Sequence, residues 1–121
     1  MKTTLVVSIF VLFLAAGSAA FVHAGDVMDA APQCCKVLLE NEEVRVLDYV
    51  AKAGEKVGLH MHPAHVVYSL TDGKVKFTSE DGSTREVEMK AGQAIYSAAV
   101  THATENTSAN DMHVIIVEMK K

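Results

Sequence analysis

Residues 54–65 read GEKVGLHMHPAH and place three histidines within six residues, at His60, His62 and His65. In a β-strand, residues i and i+2 point to the same face, so a strand here presents His60 and His62 together. A fourth histidine, His102, follows in VTHATEN, residues 100–106. Two imidazoles from one strand and a third from a neighbouring strand are a usual nitrogen shell for zinc, iron, manganese, copper or nickel. The sequence therefore predicts a site for a divalent transition metal.

The apolar residues from Lys36 onward follow a period of two rather than 3.6. Asp-Gly and Ala-Gly pairs separate the apolar segments, and this is turn chemistry typical of β-hairpins. The segments predicted as strands are 37–39, 44–50, 66–70, 75–79, 84–89, 94–97 and 112–119. Many short strands at this spacing, with no helical period, predict an all-β sandwich or barrel.

The first 24 residues have the layout of a cleavable signal peptide. Lys2 supplies a positive charge, residues 5–16 are almost wholly apolar, and Val22 and Ala24 fit the positions before a cleavage site. We expect cleavage after Ala24, with cleavage after Ala20 or a retained N-terminal anchor as alternatives. This pattern predicts a periplasmic or secreted protein.

The mature chain has the size of one small domain. We interpret residues 25–36 as a short, mobile leader and residues 37–121 as a single β-barrel domain. The sequence has 15 acidic residues against 11 basic ones, a formal charge of −4, which argues against nucleic acid as a partner. Beyond the signal segment, no apolar run is long enough to cross a membrane, so no membrane partner is expected after cleavage.

The two cysteines, Cys34 and Cys35, are adjacent. A disulfide between neighbours closes a strained ring, although an exported protein meets oxidising conditions. The sequence leaves several alternatives open: partly buried residues at the start of a strand, an intermolecular bridge, a redox pair or a soft metal site.

The spacing of glycines and histidines resembles the two motifs of the cupin family. The positions that match are Gly54, His60, His62, Gly73, Gly92, His102 and Asn106. The resemblance covers roughly residues 44–118. It implies a cupin-type jelly-roll β-barrel, commonly a homodimer, that binds a divalent metal (Fe, Mn, Ni, Cu or Zn) through His60, His62 and His102.

The chain departs from these motifs at several positions. The glutamate that many cupins use as a further ligand is replaced by Val66 on a strict count, or by His65 when the following VVYSL is aligned. If His65 faces inward, it is a fourth imidazole at the site. If Val66 does, three histidines remain, with positions open to water, oxygen or substrate. In the second motif, Ala98 and Val100 replace a proline and a glycine.

Two functions fit this pattern. The first is an exported metal-dependent enzyme, foremost an Fe-type dioxygenase acting on a small molecule, with a Mn, Ni or Zn isomerase or lyase as a variant. The second is a non-catalytic periplasmic module that binds a metal or a small ligand. A structural protein with vestigial histidines is a third hypothesis. No motif supports nucleotide chemistry or triad hydrolysis.

Pocket residues outside the histidines are less well defined. Candidates for lining the cavity are Met61, Tyr68, Phe77 and Tyr96. Arg45 and Arg85 are the only arginines, and the sequence places neither in the pocket, which argues against an anionic carboxylate substrate. His113, in the last predicted strand, is a candidate for the core or a dimer face.

Overall fold

A computed structural model describes residues 24–121, so the predicted signal peptide lies, apart from Ala24, outside the described residues. The elements in chain order are β1 Gly25–Asp26, α1 Val27–Ala30, β2 Cys35–Glu40, β3 Val44–Ala51, β4 Lys56–His62, β5 His65–Ser69, β6 Gly73–Ser79, β7 Thr84–Met89, β8 Ala94–Ser97, β9 Val100–Asn106 and β10 Met112–Met119. Within this range no helix has the length and apolar character to span a membrane.

The strands form two five-stranded sheets, and the prediction of an all-β fold is confirmed. Sheet I has the order β1-β4-β9-β6-β7, and sheet II has the order β2-β3-β10-β5-β8. All neighbouring strands are antiparallel except β1 and β4, which are parallel. The buried apolar side chains of the main core are Val27, Leu47, Val75, Met89, Met112, Val114 and Ile116. The facing inner sides of the two sheets therefore enclose the core.

Every predicted strand segment coincides with or overlaps a strand of the structure. The segments identified by apolar alternation omit β4 and β9, although the histidine spacing indicated a strand at His60 and His62. These two strands carry polar residues on their inner face, so the apolar alternation that marks other strands is missing. Three of the predicted turns are confirmed by glycines in the left-handed region, Gly54 at φ 76°, Gly82 at φ 84° and Gly92 at φ 83°.

The segment interpreted as a mobile leader is instead packed against the barrel. Val27 and Ala31 have no exposed surface, and Gly25 pairs directly with His60 across the parallel β1–β4 ladder. Asp26 caps α1, because its Oδ1 accepts a hydrogen bond of 2.8 Å from the backbone N–H of Met28. The interpretation missed this docking because a single turn of helix has too few residues to show a period.

The two cysteines lie where the segment passes into sheet II. Cys34 is buried and Cys35 is the first residue of β2, and both thiols are free among the described residues. Burial and the nearby Glu55 carboxylate raise the pKa of Cys34 to about 11, and burial raises that of Cys35 to about 12. Both thiols therefore stay protonated at neutral pH, which favours a structural role over a redox or metal-binding one.

Candidate metal centre

A β-bulge in β4 turns the first two histidines into the barrel. Val57 pairs with Thr104, and His60 pairs with His102, so β4 contains one residue more than β9 between these two pairs. Val57 and His60 are three residues apart and both are buried, which strict alternation would not allow. The extra residue restores the inward direction for His60 and, two residues on, for His62.

Three of the predicted histidines converge on one point inside the barrel. His60, His62 and His102 are each buried, and their ligating nitrogens lie within 4.8 Å of one another. Their ring centroids are 4.9 Å apart for His60 and His102, 5.0 Å for His60 and His62, and 5.5 Å for His62 and His102. This spacing and donor type fit a single divalent transition metal.

Hydrogen bonds fix the tautomer of two of these rings. The Nδ1–H of His60 donates to the carbonyl oxygen of Gly58, in the bulge, at 2.8 Å. The Nδ1–H of His62 donates to Oε2 of Glu118 at 2.8 Å. In both rings Nε2 is left with its lone pair available as a ligand, and the partner fixes the orientation of the ring.

Glu118 connects the histidine cluster to the N-terminal segment. Its side chain is 1% exposed, and besides His62 it accepts a hydrogen bond of 2.7 Å from Nε of Arg45. The guanidinium of Arg45 also donates to Oδ2 of Asp26 at 2.6 Å. A continuous chain of charged contacts therefore runs from the cap of α1 to the ring of His62.

The charges of this network are held in place by their partners. Burial opposes ionisation of Glu118, but hydrogen bonds from His62 and Arg45 bring its pKa below the ordinary value. In Asp26 burial is likewise outweighed, by hydrogen bonds from Arg45 and the Met28 N–H, so its pKa is lowered. Both carboxylates are therefore ionised at neutral pH, and the buried charge of Glu118 is compensated.

The fourth histidine, His65, lies beside the triad. It is buried and lines the cavity, whereas Val66, the alternative residue, points to the other face of β5. Its ring centroid is 4.7 Å from that of His62, and its Nδ1–H donates to the carbonyl oxygen of Pro63 at 2.7 Å. His65 is not part of the cluster of nitrogens within 4.8 Å.

Comparison with known families agrees with this geometry. The family described as the cupin domain matches residues 47–118, which is more than half of the chain. The chain is a cupin. A search of the curated proteins finds no match for this cupin.

Solved structures show the same fold. A cupin domain from Bordetella pertussis Tohama I superposes with a TM-score of 0.66 at 24% identity, over 72% of this chain and 92% of that one. A predicted oxalate decarboxylase from Thermotoga maritima gives 0.53 at 25% identity, over 70% and 77% of the two chains. The DMSP lyase of Ruegeria pomeroyi DSS-3 gives 0.54 at 16% identity, over 70% and 45%.

The histidines of this cupin open onto a cavity of about 640 Å³ between the two sheets. Its wall is mainly apolar. Residues of that wall outside the histidine cluster include Val67, Val75, Phe77, Val87, Met89, Ile95, Val114 and Ile116. Of the aromatic and sulfur candidates, Phe77 and Tyr96 line the cavity, whereas Met61 and Tyr68 are 48% and 43% exposed and do not. A cavity of this size and character suits a small organic ligand.

Burial keeps three of the imidazoles of this cavity neutral. It lowers the pKa of His60 and His65 below the ordinary 6.5. Burial, together with repulsion from His60 and His62, lowers the pKa of His102 to about 3. At pH 7 these rings therefore carry no proton that a metal would have to displace.

Three functional residues were missed by the sequence interpretation. Glu118 in β10 and Arg45 in β3 are at positions whose side chains point into the barrel, where the other residues are mostly buried and apolar. The alternation of inward and outward positions along these strands could therefore have identified both residues. Arg85, which the sequence did not place in the pocket, lines the cavity. Arg85 is the cross-strand partner of Phe77, whose side chain points inward from β6. The alternation along β6 could therefore have placed Arg85 on the inner face.

Proposed function

We propose that this cupin is an exported metalloprotein that binds one divalent transition metal through His60, His62 and His102. The observation that carries the proposal is the convergence of three imidazole nitrogen donors within 4.8 Å at the wall of a largely apolar cavity. Glu118 and the carbonyl of Gly58 hold two of these rings in orientation.

We further propose an Fe-type dioxygenase acting on a small molecule. Three neutral ligands leave the full charge of a bound metal uncompensated, and that metal would supply Lewis acidity and open positions for small-molecule chemistry. The protein contributes a cavity whose wall is apolar over most of its area, which limits competing water. His65 lines this cavity with a free Nε2 and is the candidate to accept or donate a proton.

Two alternatives have specific support. Redox-neutral lyase or decarboxylase chemistry is favoured by two fold relatives, the DMSP lyase and the predicted oxalate decarboxylase. A non-catalytic module that binds a metal or small ligand is favoured by the lack of a carboxylate ligand in the histidine cluster of the described residues. Oxygen consumption by the iron-loaded protein separates dioxygenase activity from both.

Export to the periplasm or the medium is proposed from the signal-peptide pattern of residues 1–24. The first described strand, β1, begins at Gly25, the residue after the expected cleavage site. Since Gly25 pairs with His60, cleavage after Ala24 would leave β1 intact, whereas truncation beyond Asp26 would remove its contact with the metal-binding strand.

We also propose that two copies associate through the outer face of sheet II. Three cross-strand rows on this face are largely apolar. They consist of Val46, Val117 and Val66; Asp48, Ile115 and Tyr68; and Val50, His113 and Leu70. The outer face of sheet I instead carries charged residues, among them Lys74, Lys76, Glu86, Glu88 and Glu105. A solvent-facing side of an antiparallel sheet is normally polar, so the apolar face suits a symmetric partner.

The first experiment is to measure metal content in the mature protein, purified from the periplasm without a histidine tag. His60→Ala and His102→Ala remove proposed ligands, and His113→Ala is the matched control, because His113 lies on the outer face and pairs with Asp48. We expect near-stoichiometric metal in the wild type and the control and none in the two ligand variants. Absence of metal from all samples, with unchanged melting temperatures, would contradict the proposal.

A further inference from the structure

Arg85 is the one lysine or arginine that lines the cavity within residues 24–121. Apart from the histidines, the other ionisable wall residue with a charge at neutral pH is Glu55. The Glu55 carboxylate is already engaged, since it accepts hydrogen bonds from the Lys52 backbone N–H at 2.8 Å and from Nε2 of Gln33 at 3.3 Å. Arg85 is thus the permanent cation available to a ligand in this cavity.

The guanidinium of Arg85 is not neutralised by its neighbours. In the described part of the chain it makes no ion pair and no hydrogen bond, whereas Arg45 binds two carboxylates. The nearest acidic residues along β7 are engaged elsewhere. Glu88 pairs with Lys90 at 2.7 Å, and Glu86 accepts a hydrogen bond of 3.2 Å from the Thr107 hydroxyl.

Arg85 is also close to the histidine cluster. Its Cζ lies 5.9 Å from the ring centroid of Phe77, which is its cross-strand partner. The Phe77 centroid is in turn 5.1 Å from that of His102. One aromatic ring therefore lies between the guanidinium and a proposed metal ligand, within the distance of a cation–π contact. Arg85 is itself exposed, at the border of the cavity.

We propose that Arg85 binds the carboxylate of a small organic acid that occupies the cavity bordered by this guanidinium, the Phe77 ring and the histidine triad. A guanidinium presents paired N–H donors that match the two oxygens of a carboxylate. The apolar body of the acid packs on the wall formed by residues such as Val87 and Ile95. This assignment reverses the expectation from the sequence, in which no arginine reached the pocket.

The inference rests on the proposed function, because the metal bound by the histidine triad would position the other end of the ligand. The triad and Arg85 line the same cavity. A metal bound by the triad would add its positive charge to that of the guanidinium, so the site as a whole would favour an anion over a neutral molecule of the same shape.

The test compares benzoate with benzamide, which has nearly the same shape but no charge. Binding of each is measured by isothermal titration calorimetry to the protein as purified, with the metal content of every sample determined alongside. The variants are Arg85→Gln and Arg85→Lys. Lys76→Gln is the matched control, because Lys76 lies on the adjacent strand, pairs with Glu105 on the outer face and loses the same charge.

We expect the wild type and Lys76→Gln to bind benzoate at least tenfold more tightly than benzamide. Arg85→Gln should abolish this preference while keeping its metal, and Arg85→Lys should retain part of it. Equal binding of the two probes by the wild type, binding of neither, or an unchanged preference in Arg85→Gln overturns the proposal. A preference for benzoate that depends on Arg85, in a protein without metal, supports the carboxylate site and contradicts the metal proposal. Bound metal without any preference for benzoate supports the metal proposal and contradicts the carboxylate site.

Discussion

The Oε2 atom of Glu118 lies 2.8 Å from Nδ1 of His62, although the two residues are 56 positions apart in the chain. Glu118 belongs to β10 in sheet II and His62 to β4 in sheet I, so this contact crosses the interior of the barrel. Within sheet II, Glu118 has Arg45 and His65 as its direct cross-strand partners. One buried carboxylate therefore links the orientation of a proposed ligand to the packing of both sheets.

The first prediction concerns this contact. Glu118→Gln keeps an acceptor for His62 but removes the negative charge, and outer partners of this kind change metal affinity by about 10–100-fold. We expect zinc affinity to fall by about that factor in competition titrations with a chelator. Asp48→Asn is the matched control, since Asp48 forms the same type of carboxylate–histidine pair with His113 on the outer face. Equal affinities in the two variants would contradict the role of Glu118.

A second prediction concerns the ion pair that holds Glu118. Arg45→Met leaves a carboxylate that is 1% exposed with His62 as its remaining partner, and breaking a buried pair costs about 3–5 kcal/mol. Because the Arg45 side chain is 17% exposed, we expect a value near the lower end, about 3 kcal/mol, in urea unfolding.

The matched control for Arg45→Met is Asp26→Asn, which breaks the other contact of the same guanidinium. The Asp26 side chain is 37% exposed, so the cost should be about 1 kcal/mol or less. A loss of stability in Arg45→Met no greater than in Asp26→Asn would show that the buried pair with Glu118 is not the dominant contact.

The third prediction separates His65 from the triad. Because its nitrogens are outside the cluster within 4.8 Å, His65→Gln should retain near-stoichiometric metal, whereas His62→Ala should lose it. If His65 transfers protons, the variant loses turnover by a factor of about 10²–10⁴ without a matching loss of metal. Loss of metal from His65→Gln equal to that from His62→Ala would instead make His65 a fourth ligand.

Sequence patterns predicted the fold class and all three histidines of the cluster, because motif spacing and apolar alternation are local properties of the chain. Apolar alternation alone omitted β4 and β9, because the inward positions of these strands hold polar residues, among them His60, His102 and Asn106. The inward direction of His60 depends on a bulge, which is defined by register against β9 and not by β4 alone. The link from Glu118 to His62 depends on the distance between two sheets, which no local pattern reports.

The fourth prediction concerns association. Ile115→Lys places a charge in the central row of the apolar face of sheet II, between Asp48 and Tyr68. We expect the wild type to have the mass of a dimer in size-exclusion chromatography with light scattering, and the variant that of a monomer. Thr78→Lys is the control, because Thr78 is on the outer face of β6 in sheet I, opposite Thr84 and Ala103. A monomeric wild type, or a dimer in both variants, would contradict association through this face.

The fifth prediction is a loss of stability in acid for the metal-free protein. The pKa of His102 is about 3 in the folded chain and about 6.5 when unfolded, so between these values the unfolded state binds a proton that the folded state does not. Stability therefore decreases as the pH falls from 6.5, by roughly 1.4 kcal/mol per pH unit for each such group at most. Burial lowers the pKa values of His60 and His65 too, which acts in the same direction.

In the pH range from 6.5 to 5, Asp26 and Glu118 do not contribute to this decrease, because their lowered pKa values keep both carboxylates ionised there. Urea unfolding of the chelator-treated protein at several pH values should show the decrease. His102→Gln should make the decrease shallower, since the substituted side chain takes up no proton, and the remainder comes from His60 and His65. A flat profile in the wild type would mean that His102 is open to solvent and protonated in the folded protein. A neutral His102 is what lets a metal bind at pH 7 without displacing a proton from that ring.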